Sequence, residues 1–337
     1  MRFNKLGRSG LFLSELTLGT MTFGDERSKG TSEEEAIKII DTYLDAGGNH
    51  LDTANAYNAG RSEEIIANAL KGKRHQVTIA SKVNFPIEEG INNKGLSRHN
   101  IIRSAEASLQ RLKTDYIDLF YMHAQDVYTP VDESLRAFDD LVRSGKVRYI
   151  GVSNFQAWRL MKALATSDAQ NLERFVAAQY QYSLVKRDIE YEFTDLFLAE
   201  GLGLLPWSPL GGGFLSGKYK RDQRPGEKDG RIGTHPEHTE EAWHRRNTDQ
   251  NWNIIDVMGQ IAEDRSCSYA QIAIAWCKQQ SNVTSVIMGA RTLEQLKDNL
   301  GAVELELTQE ELQALSKASQ IPELYPYRFL DNYAKKV

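Results

Sequence analysis

The sequence predicts an α/β fold, a (β/α)8 TIM barrel with an N-terminal hairpin, a long loop after strand 7 and an extra C-terminal helix. Three observations carry that expectation. Short apolar runs alternate with amphipathic helix patterns along the chain, as in a parallel sheet covered by helices. The alternation yields eight strand–helix units, which favours a closed barrel over an open doubly wound sheet. The Gly-x-Gly-x-x-Gly fingerprint that would support the open sheet follows no early strand. A chain of 337 residues can hold one large α/β domain or two smaller ones; the expectation is one barrel domain over 1–337.

The elements follow in order. Leu6-Gly7-Arg8-Ser9-Gly10 between short apolar pieces reads as a hairpin within 1–14. The first barrel strand is Leu16-Thr17-Leu18, ending at Gly19-Thr20-Met21. Ser32 and Glu35 have capping-box spacing, Gly47 closes the helix, and apolar residues at 36, 39, 40, 43 and 44 form its buried face. Strands are then expected at 49–53, 76–82, 116–122, 147–152, 175–181, 202–207 and 283–288. Helices are expected at 62–71, 98–112, 132–144, 156–166, 190–200 and 292–300. Several strands are nearly continuous apolar runs, the pattern of parallel strands buried on both faces. Residues 211–247 break the rhythm and are too long for an ordinary connection. They read either as a lid over cofactor or substrate or as a disordered insertion. Helices near 249–264 and 268–280 follow, and Thr308-Gln309-Glu310-Glu311 caps a further helix to about 319. The tail 320–337 holds Tyr325, Tyr327, Phe329 and Tyr333, either folded over the pocket mouth or packed outside.

Composition narrows the function classes. With 41% apolar residues, 26% charged residues and a net charge of −5, nothing points to nucleic acid or an anionic membrane. No apolar run approaches a membrane span and no signal peptide opens the chain. Two cysteines, Cys267 and Cys277, are too few for a disulfide framework and read as reduced thiols of a cytoplasmic protein. His235, His238 and His244 read as solvated loop histidines, since no acid or cysteine completes a metal set.

The chemistry lies at three strand ends. Asn49-His50-Leu51-Asp52 ends in an acid, with Tyr57 five residues on. Val77-Thr78-Ile79-Ala80-Ser81-Lys82 ends in a lysine, and Tyr116 to His123 in a histidine. In a parallel barrel such ends meet on one face. Singly, each residue reads as a strand cap or a loop side chain. Together they suit protonation of a carbonyl oxygen while hydride arrives at carbon. Tyrosine is a weak acid that a neighbouring ammonium strengthens. Lys82 needs a carboxylate to stay charged when buried, and a neutral His123 can donate a hydrogen bond.

These residues resemble the aldo-keto reductases. Asp52-Thr53-Ala54 with Tyr57, then Gly60-Arg61-Ser62-Glu63, is similar to that family's second-strand motif. Ala80-Ser81-Lys82 and Met122-His123 match the next two strand ends. The resemblance implies that Tyr57 is the general acid, Lys82 tunes it, Asp52 pairs with Lys82 and His123 orients the carbonyl. Ala124-Gln125-Asp126 departs from the Arg-Pro-Asp of similar members, which alters the pocket edge but not the four residues.

The same resemblance implies a nicotinamide cofactor held by Gly19, Thr20, Met21, Asp52 and the later strand ends. Ser153, Asn154 and Gln179 would take its carboxamide. Trp207 would stack on its ring, though core packing accounts for a tryptophan there equally well. Ser208, Leu210 and Gly212 would meet the pyrophosphate. Gly212 to Lys218 imitates a phosphate loop, but Tyr219 stands where Ser or Thr would bind magnesium, so Lys218 is placed near phosphate at most. Gly289 and Arg291 lie at a strand-to-helix junction suited to an anion. Arg291, Gln295 and Asn299 recur at intervals of four, and a guanidinium can grip a phosphate with paired hydrogen bonds. By the resemblance, Arg291 and Gln295 contact an adenosine 2′-phosphate and Asn299 the adenine, which favours NADPH over NADH.

The expected activity is NADPH-dependent reduction of aldehydes or ketones, with small-molecule substrates. Phe23, Asn55, Phe85 and the tail are expected as pocket walls. Two alternatives remain open: an NADP-dependent sugar or polyol dehydrogenase, and a cofactor-binding regulatory subunit of a larger complex.

Overall fold

The computed structural model describes residues 1–24, 30–226, 229–234, 237 and 239–334. The chain opens with an antiparallel hairpin, β1 (Phe3–Lys5) and β2 (Phe12–Ser14). The barrel strands are β3 (Leu16–Gly19), β4 (His50–Asp52), β5 (Thr78–Val83), β6 (Ile117–Met122), β7 (Val147–Ser153), β8 (Phe175–Gln179), β9 (Gly203–Leu204) and β10 (Val286–Gly289). Paired neighbours run parallel in the order β10-β3-β4-β5-β6-β7-β8-β9. Closure comes from Leu204 bridging Val283, with Thr284 N–H donating to Leu204 O at 2.8 Å and Ile287 N–H to Pro206 O at 2.9 Å. The expected (β/α)8 barrel is present.

Helices alternate with these strands: α1 (Glu33–Asp45), α2 (Arg61–Ala69), α3 (Arg98–Leu112), α4 (Val131–Arg143), α5 (Ala157–Gln170) and α6 (Phe193–Glu200). After β9 come the short helices α7 (Arg231–Thr234) and α8 (Trp243–Arg246), then α9 (Asp249–Arg265) and α10 (Tyr269–Lys278). The chain continues with α11 (Leu293–Leu300), α12 (Gln309–Ala318) and α13 (Tyr327–Tyr333). Local chemistry explains the boundaries. Ser268 with Gln271, and Thr308 with Glu311, form complete capping boxes. At α1 only half the box forms. Ser32 accepts from Glu35 N–H, while the Glu35 carboxylate crosses to Leu293 N–H at 2.8 Å and caps α11.

The seventh barrel strand is regular for only two residues because Pro206 has no N–H to continue the ladder. The chain nevertheless stays beside β8, with Leu205 N–H on Ala178 O and Trp207 N–H on Tyr180 O at 2.8 and 2.9 Å. Trp207 therefore still reaches the strand-end face.

Two apolar layers hold the barrel. The larger lies between strands and helices and includes Leu51, Ile79, Phe120, Ile150 and Trp276. The smaller fills the barrel interior, where Leu6 and Leu13 of the hairpin pack with Ala80, Leu119, Tyr121, Ala177, Leu205 and Ile287. The hairpin thus plugs one end, and Gly7 makes its turn at φ +50°, where an added Cβ would collide with Gly201 and Val176 carbonyls. The opposite end carries the polar strand tips. Phe23, expected as a pocket wall, is instead wholly buried in the larger layer, because the chain after β3 turns inward beneath α2.

Segment 211–247 is built around an aromatic cluster. Phe214 packs edge-on to Trp252 and stacks with Tyr219, while Trp243 meets both Tyr219 and Trp252. The tail packs against the loop after β8. Tyr327 stacks on Tyr191 at 5.0 Å and donates to Glu192 at 3.0 Å, and Tyr191 donates to Pro322 O at 2.5 Å. None of the helices among the described residues is long and apolar enough to cross a membrane. Cys267 and Cys277 are both free thiols.

Candidate active site

Register brings the strand tips together. Asp52 pairs with Ala80 across β4 and β5, and Lys82 pairs with Tyr121 across β5 and β6. Asp52 and Lys82 both project into the barrel mouth because strand side chains alternate between faces. Past β4 the chain stays attached to β5 through Thr53 N–H on Ala80 O at 2.9 Å and Asn55 N–H on Lys82 O at 3.3 Å. It then turns tightly. Asn58 and Ala59 are left-handed, with φ of 48° and 54°, a costly conformation for residues with a Cβ. The Asn58 amide holds the turn by donating to Met21 O and Phe23 O at 3.0 and 2.7 Å. This turn sends Tyr57 back over Lys82.

The result is a compact cluster. Lys82 is 0% exposed. Its ammonium donates to Asp52 Oδ1 at 2.6 Å, to Thr53 O at 2.6 Å and to the Tyr57 hydroxyl at 3.2 Å. The other Asp52 oxygen accepts from Gln179 Nε2 at 2.7 Å. His123 meets the Tyr57 ring edge-on at 5.9 Å and the Phe85 ring at 4.8 Å. All four residues expected from the strand ends converge on one face.

The electrostatics separate their roles. Burial pushes Lys82 down, but the Asp52 charge and the contacts with Tyr57 outweigh it and leave the ammonium above its ordinary pKa. Burial raises Tyr57 above its ordinary value even though Lys82 pulls it down. The sequence expectation that Lys82 makes Tyr57 a stronger acid therefore holds for the lysine's own effect but not for the net shift, since desolvation is the larger force. Tyr57 is a protonated phenol at neutral pH. Burial, reinforced by the Lys82 charge, holds His123 well below its ordinary value, so its imidazole is neutral.

The expected cofactor residues fall into three groups. The first lines the tetrad. Ser153 is buried and donates to Gln179 O at 2.7 Å; Asn154 donates to His123 O at 2.9 Å and to Ser153 Oγ at 2.8 Å. Asn154 and Ser208 adopt left-handed φ of 55° and 56°, sharp turns that end their strands. Thr20 is buried and tied to Asp52 O by both its N–H and hydroxyl, at 2.9 and 3.0 Å. Gly19 lies tight against Ile287, and Met21 is 38% exposed beside them. Among the described residues, Asn55 Oδ1, His123 Nδ1 and Trp207 Nε1 are buried without hydrogen-bond partners. Orphaned polar atoms of this kind call for a partner, and a polar-edged ring system meets that need. Trp207 is half-buried on the inner layer, so core packing and an open ring face coexist.

The second group is the turn after the seventh strand. Ser208 Oγ accepts from Gly212 N–H at 3.1 Å and donates to the Glu241 carboxylate. Arg231 Nε lies 3.3 Å from the other Glu241 oxygen, and its charge reaches Tyr57. Gly212, Glu241 and, through Glu241, Arg231 are thereby tied to Ser208 in the turn after the seventh strand. Leu210 leads into a short 3-10 turn, Gly211–Ser216. Lys218 follows it, its ammonium 5.1 Å from the Tyr219 ring centroid. Arg231 and Glu241 were not singled out from the sequence. Their one signal was a buried acid within a polar loop, which only burial reveals.

The third group departs from its expected geometry. Arg291 precedes α11 rather than lying on it. Its N–H goes to Gln295 Oε1 at 2.9 Å, Gln295 N–H goes to the Thr292 hydroxyl at 3.3 Å, and Leu293 N–H goes to Glu35. Protein groups thus occupy these donors at the start of α11. Asn299 does not share an exposed face with Gln295. It is buried and donates to Gly289 O at 3.2 Å. The Arg291 charge also acts on Tyr219, where it opposes the rise caused by burial.

Among the described residues no three or more His, Cys, Asp or Glu are placed to hold a metal ion. His235 and His238 lie outside those residues, and His244 faces Glu237 at 3.5 Å.

A closed (β/α)8 barrel whose strand tips bury an Asp–Lys–Tyr cluster beside a neutral histidine defines an oxidoreductase scaffold for carbonyl chemistry. The family model described as "Aldo/keto reductase family" matches residues 15–320, and the chain belongs to that family. Members generally use nicotinamide cofactors. The chain is 38% identical over 343 residues to the "Uncharacterized oxidoreductase YrpG" of Bacillus subtilis (strain 168), covering 97% of this chain and 100% of that protein. It is 36% identical to a "Probable voltage-gated potassium channel subunit beta" of Oryza sativa subsp. japonica, over 90% of this chain and 92% of the relative. It is 32% identical to the "Versiconal hemiacetal acetate reductase" of Aspergillus parasiticus, over 94% and 96%.

Proposed function

We propose that the protein reduces aldehydes or ketones to alcohols with NADPH, and that Tyr57 delivers the proton. The observation that carries this reading is the buried Lys82 ammonium shared between Asp52 and the Tyr57 hydroxyl. Tyr57 holds its proton at neutral pH and releases it to a carbonyl oxygen as negative charge develops there. Lys82 stabilises the resulting phenolate, and Asp52 keeps Lys82 charged. Neutral His123 donates a hydrogen bond that orients the carbonyl. A bound nicotinamide would supply hydride. Ser153, Asn154 and Gln179 would hold its carboxamide and Trp207 would cover its ring. Gly19, Thr20 and Met21 would border it, and Ser208, Leu210, Gly212 and Lys218 would face its pyrophosphate. Arg291 and Gln295 would take the 2′-phosphate, with Asn299, bonded to Gly289, on the adenine side.

The test is fluorescence titration with NADPH and NADH separately, followed by NADPH consumption over an aldehyde and ketone panel. Tight NADPH binding, weak NADH binding and turnover are expected. Binding of neither nucleotide overturns the reading. A second reading, a cofactor-binding regulatory subunit, is supported by the relative from Oryza sativa subsp. japonica named as a "Probable voltage-gated potassium channel subunit beta". Copurification with a membrane protein would favour it.

A further inference from the structure

Gly60-Arg61-Ser62-Glu63 takes no part in the proton chemistry above, yet it lies directly behind it. We propose that Glu63 is a positioning residue that sets the distance between Lys82 and Tyr57 by gripping β5 from its outer face. The inference rests on the reading of Tyr57 and Lys82 as an acid and its partner.

Glu63 is a carboxylate with 0% exposure. Its Oε1 accepts from Ser81 Oγ at 2.5 Å and its Oε2 from Arg111 Nε at 2.7 Å. Ser81 is the residue before Lys82. On a strand the two point to opposite faces, so Glu63 holds β5 from outside where Lys82 leaves it inside. Ser62 does the same for the neighbouring tips. Its hydroxyl lies 2.7 Å from Thr20 Oγ1 and 3.0 Å from Thr53 Oγ1, and Thr53 O is one of the three acceptors around Lys82 Nζ.

Tyr57 reaches this clamp through the chain itself. The turn Tyr57–Gly60 leads straight into α2, so one short segment sends Tyr57 into the barrel mouth and Glu63 to its outer wall. A closed ring of contacts follows: Tyr57, Gly60, Glu63, Ser81, Lys82 and back to Tyr57. Gly60 completes it. Its φ is +91°, and an added Cβ would stand 2.6 Å from Arg111 Cδ, blocking the arginine that neutralises Glu63.

A buried ion pair contributes little stability compared with apolar residues of equal volume, so stability gives no reason for one here. Geometry does. The Lys82–Tyr57 contact is 3.2 Å, at the long end of a useful hydrogen bond, and a shift of a few tenths of an ångström decides whether Lys82 serves the phenolate.

The experiment compares wild type with Ser81→Ala, which removes only the hydroxyl that Glu63 holds, and Ser81→Thr, which keeps it. In Ser81→Ala, kcat for carbonyl reduction should fall about tenfold to a hundredfold, the scale of small misplacements in a site. NADPH affinity should stay close to wild type, and the alkaline limb of the kcat–pH profile should move upward as Lys82 loses its hold on the phenol. Ser81→Thr should restore both. A lowered melting temperature with kcat per active site and the limb unchanged would reduce Glu63 to a structural residue and overturn the proposal. A turnover-free readout separates this from the functional reading: 3-fluorotyrosine at position 57, its 19F resonance titrated with pH. An upward shift of that titration in Ser81→Ala supports the clamp even if wild type reduces no carbonyl. Identical titrations refute it.

Discussion

Gln179 donates its amide N–H to Asp52 Oδ2 over 2.7 Å, from the tip of β8 to the tip of β4. With Lys82 on Oδ1, both oxygens of the acid are engaged. Asp52 is therefore locked in rotation, and the buried lysine has a counter-ion that cannot swing away.

Breaking that pair should be costly. Asp52→Asn leaves Lys82 charged and fully buried, and its unfolding free energy should drop by about 3–5 kcal/mol. Equilibrium unfolding in urea measures this. The double variant Asp52→Asn/Lys82→Met should regain most of the loss. A single variant as stable as wild type would show that Lys82 is not held as a charge.

Tyr57→Phe removes the proposed proton donor and keeps the ring against His123. Carbonyl reduction should fall by about 10²–10⁴, the range of general acid catalysis, while NADPH binding by fluorescence titration stays nearly intact. Reduction near the wild-type rate would assign the proton to another group.

Arg291→Ala should discriminate between the nucleotides. The loss of charge-assisted hydrogen bonds, about 1.5–3 kcal/mol, should weaken NADPH by roughly 10- to 100-fold and leave NADH nearly unchanged. Equal weakening of both would move Arg291 away from the 2′-phosphate.

Acid should destabilise the fold through His50. Its ring is wholly buried, bonded to Thr78 Oγ1 at 2.8 Å, and burial with the Lys82 charge lowers its pKa to about 3. The unfolded residue titrates near 6.5. Between those values the unfolded state binds more protons, so the stability is complete above pH 6.5 and is lost as pH falls toward 3. The slope approaches about 1.4 kcal/mol per pH unit for this group. His123, also held low, acts in the same direction. His50→Gln should flatten the profile of melting temperature against pH below 6.5. An unchanged slope would exclude His50 as the acid-labile group.

Much of this site is legible in the sequence. The chemistry sits at strand ends, and strand ends follow from apolar runs stopping at Asp52, Lys82 and His123. Helix α3 was expected at 98–112 and spans those residues, because a serine cap precedes a clear periodic face. What escaped detection has a common cause. Phe23 was expected at the pocket and lies in the core, Asn299 was expected on an open helix face and is buried, and Glu35 caps a helix some 258 residues away instead of completing its own box. Arg231 and Glu241 gave no local signal, since Glu241 meets Ser208 33 residues away; Gly60–Glu63 stood out as a motif, but its grip on Ser81 and Arg111 did not, because those partners are distant in sequence.

The sequence by itself determined the period of each element, the polarity of the strands and the identity of the side chains at their tips, since these depend on residues within a turn or two of one another. The tertiary structure alone decided that Asp52, Lys82 and Tyr57 touch, that burial rather than Lys82 sets the net acidity of Tyr57, and that Glu241 and Arg231 reach back to Ser208 and the tetrad. Contact, desolvation and charge proximity are set by barrel closure and register, which join residues from opposite ends of the chain and which no local pattern encodes.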